Sequence, residues 1–257
     1  MNYQKVSEQV STIAIEAGDA ILEIYNSDDF DVQLKSDDSP LTKADLAAHN
    51  IIVNALEDRF PEIPVLSEES QDITYEQRKQ WSRFWLVDPL DGTKEFIKRN
   101  GEFTVNIALI DNHVPVFGVV YAPVISSLYW GYENSAFKKE NGNCEAIQVC
   151  ESLAAGEKLR IVASRSHRSE ELENYLSKLP EHDCIAMGSS LKICLVADGT
   201  AHMYPRIGPT MEWDTAAADA VVRAAGGTVT TLEKDSLLYN KENLLNPYFI
   251  VNSKLEI

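Results

Sequence analysis

The chain has 257 residues, is 44% hydrophobic and 25% charged, and carries a formal net charge of −17. Such a length buries a large core in one or two domains. The acidic balance speaks against a nucleic-acid or anionic-membrane surface, which needs Lys/Arg clusters. No stretch approaches the ~20 apolar residues that span a bilayer, and the opening MNYQKVSEQV lacks the apolar centre of a signal peptide.

Val6, Val10, Ile13, Ala17, Ile21 and Ile24 recur at helical spacing and predict an amphipathic helix over about 3–25. Residues 28–39 are polar and loop-like. A second helix starts at Thr42, keeps Ile51, Ile52, Ala55 and Leu56 on its apolar side, and ends before Pro61. A short apolar run, 63–66, leads into Ser67, Glu68, Glu69 and Ser70, and a polar helical stretch follows to about Ser82. Residues 84–87 read as a buried strand ending on Asp88. Segments 103–110 and 114–121 are rich in β-branched and aromatic residues and flank a turn at 111–113. Shorter strands are expected at 127–132 and 146–149.

Beyond about 155 the pattern alternates: strand 159–163, helix 169–179, strand 184–187, helix 189–198, strand 201–204. A helix over 213–225 stops at Gly226-Gly227, and a strand over 248–251 comes last. The expectation is an α+β subdomain over 1–155 and an α/β subdomain over 156–257, layered around shared cores. Cys144, Cys150, Cys184 and Cys194 show neither paired nor zinc-like spacing. They read as free, buried thiols of a reducing compartment.

The most informative stretch is Trp85-Leu-Val-Asp-Pro-Leu-Asp-Gly-Thr-Lys-Glu-Phe96. Asp88 and Asp91 stand at the end of a buried strand, where a carboxylate is costly unless a charge meets it. Mg²⁺, which takes hard oxygen ligands, is one such partner. Pro89 stiffens the turn and leaves the Leu90 carbonyl able to face a cation. An ordinary Asp-Pro/Asp-Gly turn explains the same residues. Other acidic residues divide in the same way. Glu68-Glu69 is a strand-end ligand or a solvated loop, and Asp214 a ligand at a helix start or a cap. Asp45 completes the capping-box pattern Thr42-x-x-Asp45, and Thr93 is a turn hydroxyl or a water-orienting one. Together, Glu68, Asp88, Asp91 and Asp214 supply four negative charges that two Mg²⁺ would neutralise. A third ion or a nearby Lys would make the site attractive to a phosphate dianion.

Glu68-Glu69, Asp88-Pro-Leu-Asp-Gly-Thr93 and Trp213-Asp214 with Gly226-Gly227 resemble the signatures of the inositol monophosphatase superfamily of lithium-sensitive, Mg²⁺-dependent phosphatases. The likeness runs over essentially the whole chain. It implies an inositol monophosphatase-like (sugar phosphatase) fold of alternating helix and sheet layers. It implies two or three Mg²⁺ ions held by Glu68, Asp88, the Leu90 carbonyl, Asp91 and Asp214. It also implies that Thr93, oriented by Asp45, activates the attacking water together with Glu68. Lys35 matches a lysine near the metal-loading loop.

The substrate is read from other residues. Gly92-Thr-Lys-Glu-Phe96 carries Lys94, where inositol monophosphatases look like Gly-Thr-Thr-Asn-Phe. Ser164-Arg-Ser-His167 follows a strand, and Gly188-Ser-Ser-Leu-Lys192 opens a helix with N–H groups facing outward for an anion. Both segments resemble the nucleotide-binding segments of 3′(2′),5′-bisphosphate nucleotidases within that superfamily. The resemblance implies substrate contacts from Ser164, His167, Gly188 and Lys192 beside Glu68, Asp91, Gly92, Thr93, Lys94 and Asp214. Arg206 is a candidate for the non-scissile phosphate by position. Taken singly, His167 reads as a surface histidine and Lys94 and Lys192 as solvated lysines.

The implied reaction removes the 3′-phosphate of adenosine 3′,5′-bisphosphate, giving AMP and phosphate and recycling a by-product of sulfate assimilation. The implied partner is this small nucleotide, not a nucleic acid polymer, with monomer and homodimer both open. The implied location is the cytoplasm, with peripheral attachment to the cytoplasmic face of the inner membrane as the alternative. Inositol monophosphate or a sugar bisphosphate is the competing substrate. A non-catalytic metal-dependent nucleotide or anion sensor is the competing class.

Overall fold

Asn2 caps α1 (Tyr3–Tyr25) by accepting the Lys5 N–H at 3.1 Å, and Val6, Val10, Ile13, Ala17 and Ile21 form one buried stripe. The computed structural model describes residues 1–27, 33–34, 40–70, 73–163 and 169–255. Most of the expected loop at 28–39 lies outside these. Within it, β1 (Gln33–Leu34) pairs antiparallel with β2 (Pro40–Leu41), so the segment contains a strand. The second helix, α2 (Lys43–Arg59), carries the predicted capping box at Thr42 and Asp45. Next come β3 (Val65–Ser67), the single turn α3 (Tyr75–Arg78), β4 (Arg83–Asp91) and α4 (Thr93–Ile97). The polar helix expected up to Ser82 shrinks to α3 because Arg78 turns inward. It donates to Asn240 Oδ1 and to the carbonyls of Lys241 and Glu242 at 2.7–2.9 Å.

A long meander follows: β5 (Thr104–Asp111), β6 (Val114–Ala122), β7 (Ser127–Tyr132), β8 (Ser135–Glu140) and β9 (Asn143–Ile147). The sequence pattern misses β8 and displaces β9, both of which are largely polar strands at one edge of the sheet. The rest is β10 (Leu159–Ala163), α5 (Glu170–Leu176), β11 (His182–Ala186), α6 (Leu191–Ala197), β12 (Met203–Arg206), α7 (Glu212–Ala224), β13 (Thr228–Thr231) and β14 (Phe249–Asn252). The short edge strand β13 is a further addition. Cys144 and Cys184 are exposed on the outer strands β9 and β11, against the expectation of burial, whereas Cys194 in α6 is buried. All four cysteines are unpaired.

Strands β3 to β9 make a seven-stranded sheet in sequential order, parallel at β3–β4 and antiparallel elsewhere. The other sheet has five strands in the order β11-β10-β12-β14-β13. Side-chain alternation sets the layers. Trp85, Val87, Val105, Ile107 and Leu109 face α1 and α2, packing with Ile13, Ile21, Ile52 and Leu56. Phe84, Leu86, Ala108 and Ile110 face α6 and α7, joining Val196, Val221, Phe249 and Val251 in a core that reaches the second sheet. Helix α5 covers that sheet's outer side through Leu172 and Leu176 against Leu159, Ile161 and Met203. The result is the expected alternation of helix and sheet layers. Helix α7 lies close on β6 because Gly118 has no side chain; a methyl there would overlap the Ala217 carbonyl. No helix of the described residues is long and apolar enough to cross a membrane.

Candidate active site

Strand β4 does not stop at Asp88. It continues to Asp91 through a bulge, with Asp88 opposite Asn106 and Asp91 opposite Thr104. Two residues separate the aspartates on β4, and one separates their partners on β5. That extra residue inverts the alternation, as a bulge must. Leu90 accordingly falls in the same core as Trp85 and Val87, and both aspartates are left on the α6/α7 face. Asp88 Oδ1 accepts the Leu90 N–H at 3.0 Å, which holds the Asp-Pro-Leu turn. Without the bulge, two carboxylates three residues apart would point to opposite sides of the sheet.

Asp214 arrives from the first turn of α7, where it also caps the helix by accepting the Met211 N–H at 2.9 Å. Asp88, Asp91 and Asp214 each offer one carboxylate oxygen, and these lie within 4.8 Å of one another. Glu68 follows β3, its N–H donating to the Val87 carbonyl at 3.0 Å, and its carboxyl hydrogen-bonds that of Asp88. Burial, reinforced by the charges of Glu68, Asp91 and Asp214, pushes Asp88 well above the carboxylate range. Burial likewise raises Asp214 strongly and pushes Asp91 up to about 6 against the opposing charge of Lys192. The donors are all hard oxygens around a buried excess of negative charge, which fits a Mg²⁺-type ion.

On the near side, Thr93 starts α4 behind Gly92, whose φ of 95° is left-handed. The Thr93 hydroxyl lies 3.3 Å from Asp45 Oδ1 and 3.4 Å from the Leu90 carbonyl. Asp45 Oδ2 accepts from the Thr42 N–H at 2.8 Å and the Thr42 hydroxyl at 2.6 Å. Cap and orienting residue are therefore one carboxylate using its two oxygens differently.

Across the cluster, Asp91 and Asp214 border a cavity with roughly 330 Å³ of empty space, shared with Lys192, Arg206, Tyr204 and Ser190. Lys192 Nζ stands 5.8 Å from the centre of the Tyr204 ring. Burial lowers the Lys192 pKa, while Asp91 opposes that shift. Tyr204 is pushed up to about 12 by burial and stays a proton donor. Arg206 is braced by Thr210 Oγ1 at 2.5 Å and the Pro209 carbonyl at 2.8 Å.

A model of the inositol monophosphatase family matches residues 2–254. The chain belongs to the inositol monophosphatase family. It is 51% identical over 246 residues to a Salmonella typhimurium protein named 3′(2′),5′-bisphosphate nucleotidase CysQ, covering 95% of this chain and 98% of that one. A protein of the same name from Escherichia coli K12 is 51% identical over 247 residues, with the same coverage. The crystal structure of CysQ from Bacteroides thetaiotaomicron, described as a bacterial member of the family, superposes with a TM-score of 0.86 at 46% identity over 99% of both chains. The family is metal-dependent, and the acidic cluster suits that property.

Among the family residues expected from the sequence, the fold gathers Glu68, Asp88, Asp91 and Asp214 into one cluster, with Thr93 and Asp45 hydrogen-bonded beside it. Lys192 and Arg206 line the adjoining cavity. Lys94 is exposed on α4 and stands outside that lining. Gly188 is buried, and a Cβ there would press on the Glu102 backbone and side chain, so close packing already demands a glycine. The N–H groups expected to await an anion at 188–190 are partly committed, since the Ser190 N–H donates to Asp91 Oδ2. Lys35, Ser164 and His167 lie outside the described residues. Tyr204, Thr210 and Ser190 enter the site without a distinctive sequence signal; only their nearness to Arg206 and Lys192 pointed that way.

Proposed function

We propose that this chain is a Mg²⁺-dependent phosphomonoesterase that hydrolyses the 3′-phosphate of adenosine 3′,5′-bisphosphate to AMP and phosphate. One observation carries the choice within the family: a single cavity places Asp91 and Asp214 against Lys192 and Arg206. Two anionic groups of one small substrate can then be held side by side, one toward the carboxylate cluster and one toward the side-chain cations. The names of the relatives at 51% identity support the same reading.

In this reading Glu68, Asp88, Asp91, Asp214 and the Leu90 carbonyl hold two or three Mg²⁺ ions. When bound, such ions lower the pKa of a water and neutralise charge at the leaving oxygen. The protein's own groups do the rest. Thr93 orients the attacking water and takes its proton as its own hydroxyl proton passes to Asp45, and Glu68, beside Asp88, assists. Lys192, Arg206 and the protonated Tyr204 hydroxyl bind the phosphate that is not cleaved. Ser164, His167, Gly188, Gly92 and Lys94 are retained as substrate contacts of the same proposal. So is the division at 155/156, which falls between β9 and β10 and separates the two sheets. Four unpaired cysteines favour a reducing compartment, hence the cytoplasm.

A substrate panel with Mg²⁺, repeated with Li⁺, tests the proposal. The expected result is a kcat/KM for adenosine 3′,5′-bisphosphate well above that for inositol 1-phosphate, with inhibition by Li⁺. Preference for the inositol ester would overturn the substrate assignment. Binding of Mg²⁺ and nucleotide with no phosphate released would overturn the enzymatic one.

A further inference from the structure

The bulge that brings Asp88 and Asp91 to one face is closed by a residue from the other sheet's side of the molecule. Ser190, immediately before α6, donates its N–H to Asp91 Oδ2. Its hydroxyl donates to Asn106 Oδ1 at 2.8 Å and lies 2.8 Å from Thr104 Oγ1. Because the one Ser190 hydroxyl proton goes to Asn106, Thr104 supplies the proton of the second bond. Thr104 and Asn106 are the β5 residues registered opposite Asp91 and Asp88, one on each side of the bulge. Ser190, Thr104 and Asn106 are all buried, at 3%, 0% and 1% exposure, so water does not substitute for these bonds.

We propose that Ser190 is a positioning residue that sets the separation and aim of the two bulge carboxylates for metal binding. Its N–H binds the Asp91 carboxylate, which also offers an oxygen to the cluster. Its hydroxyl ties the two β5 positions whose spacing against β4 defines the bulge. This inference rests on the reading of Asp91 as a metal ligand.

Calorimetric titration of the full chain with Mg²⁺, without substrate, tests it, together with melting curves in chelator. Loss of a group that orients a ligand usually weakens metal binding by about 10–100-fold, and Ser190→Ala is expected to weaken it by about tenfold. Ser190→Thr, which restores the hydroxyl, is expected to recover most of the affinity. Thr104→Val, which leaves Ser190 in place but removes one partner, should show a smaller loss of the same sign. Wild-type Mg²⁺ affinity in Ser190→Ala, with only a lowered melting temperature, would make the serine merely structural and overturn the proposal. If Ser190→Ala does not fold, Thr104→Val decides, and unchanged affinity there counts against it. Asp91→Asn separates the two levels. If that variant binds Mg²⁺ as the wild type does, the metal-ligand reading itself fails. If it binds weakly while Ser190→Ala does not, only the role of Ser190 fails.

Discussion

Thr93 holds its hydroxyl 3.3 Å from Asp45 Oδ1, while the other oxygen of that carboxylate closes the N-terminus of α2 at Thr42. A helix cap and the proposed proton acceptor share one side chain, so their contributions separate by substitution. General acid–base groups typically supply about 10²–10⁴ in rate, and Thr93→Ala should lower kcat by roughly that range with little change in KM. Asp45→Ala should do the same and also cost about 1 kcal/mol of stability through the lost cap. Because the two act as a unit, the double variant should be no slower than the worse single one. Multiplying losses in steady-state kinetics would show that they act independently.

Lys192 should distinguish substrates by charge. Its ammonium shares the cavity with Arg206 and Asp91. Hydrogen bonds to charged groups are worth about 1.5–3 kcal/mol, so Lys192→Met should cut kcat/KM for adenosine 3′,5′-bisphosphate by about 10–100-fold. A phosphomonoester with no second phosphate should be affected far less. Equal losses on both substrates would place Lys192 at the scissile phosphate instead.

Glu212 concerns stability. Fully buried, it accepts the Asn240 N–H at 2.6 Å, the Lys241 N–H at 3.0 Å and Lys241 Nζ at 2.7 Å. Removing it leaves the buried Asn240 N–H and the partly buried Lys241 N–H without their acceptor and takes the counter-charge from the Lys241 ammonium, a loss of about 2–5 kcal/mol. Urea unfolding of Glu212→Ala should show this as a lower midpoint with an unchanged slope. A variant within experimental error of wild type would mean that water replaces the carboxylate.

Acid sensitivity should trace in part to His202. The ring is buried, its Nδ1 accepts the Arg160 N–H at 2.8 Å, and burial, aided by the Arg160 charge, lowers its pKa. A lowered folded-state pKa means that the unfolded chain takes up the proton more readily. The contribution to stability is then full above pH ~6.5, the ordinary histidine value, and is lost as pH falls toward the folded pKa. His202→Asn, whose amide oxygen can accept the same N–H without titrating, should lose less stability than wild type between pH 7 and pH 5. Parallel melting-temperature profiles for the two proteins would remove His202 from the acid response.

Much of this was legible in the chain itself. The spacing of Val6 to Ile21 placed α1, whose single buried stripe repeats at helical spacing, and the β-branched runs placed β5 and β6, which are buried on both faces. Asp88 and Asp91 stood out because carboxylates are unusual beside a strand as apolar as 84–87. What sequence pattern could not show is parity. Nothing in Asp-Pro-Leu-Asp announces an extra residue on β4, since a bulge is defined by its partner strand. Ser190 was hidden for a related reason: its hydrogen bonds reach residues 84 and 86 positions away. The polar strand β8 and its edge neighbour β9 escaped because β8 alternates only weakly and β9 is exposed along nearly its whole length.

Gly118 carries no chemistry, yet the place of Asp214 depends on it. The helix bearing that aspartate rests on bare backbone at Gly118, one turn beyond the carboxylate, at Ala217. Even the smallest added side chain would lift α7 off its strand and carry one oxygen of the acidic cluster away from the two rooted in β4. The site is thus gauged by the thickness of a sheet with a methyl left out. A purely geometric lesion, in a residue that offers no side chain to the site, should therefore look, in an assay, like the loss of Asp214.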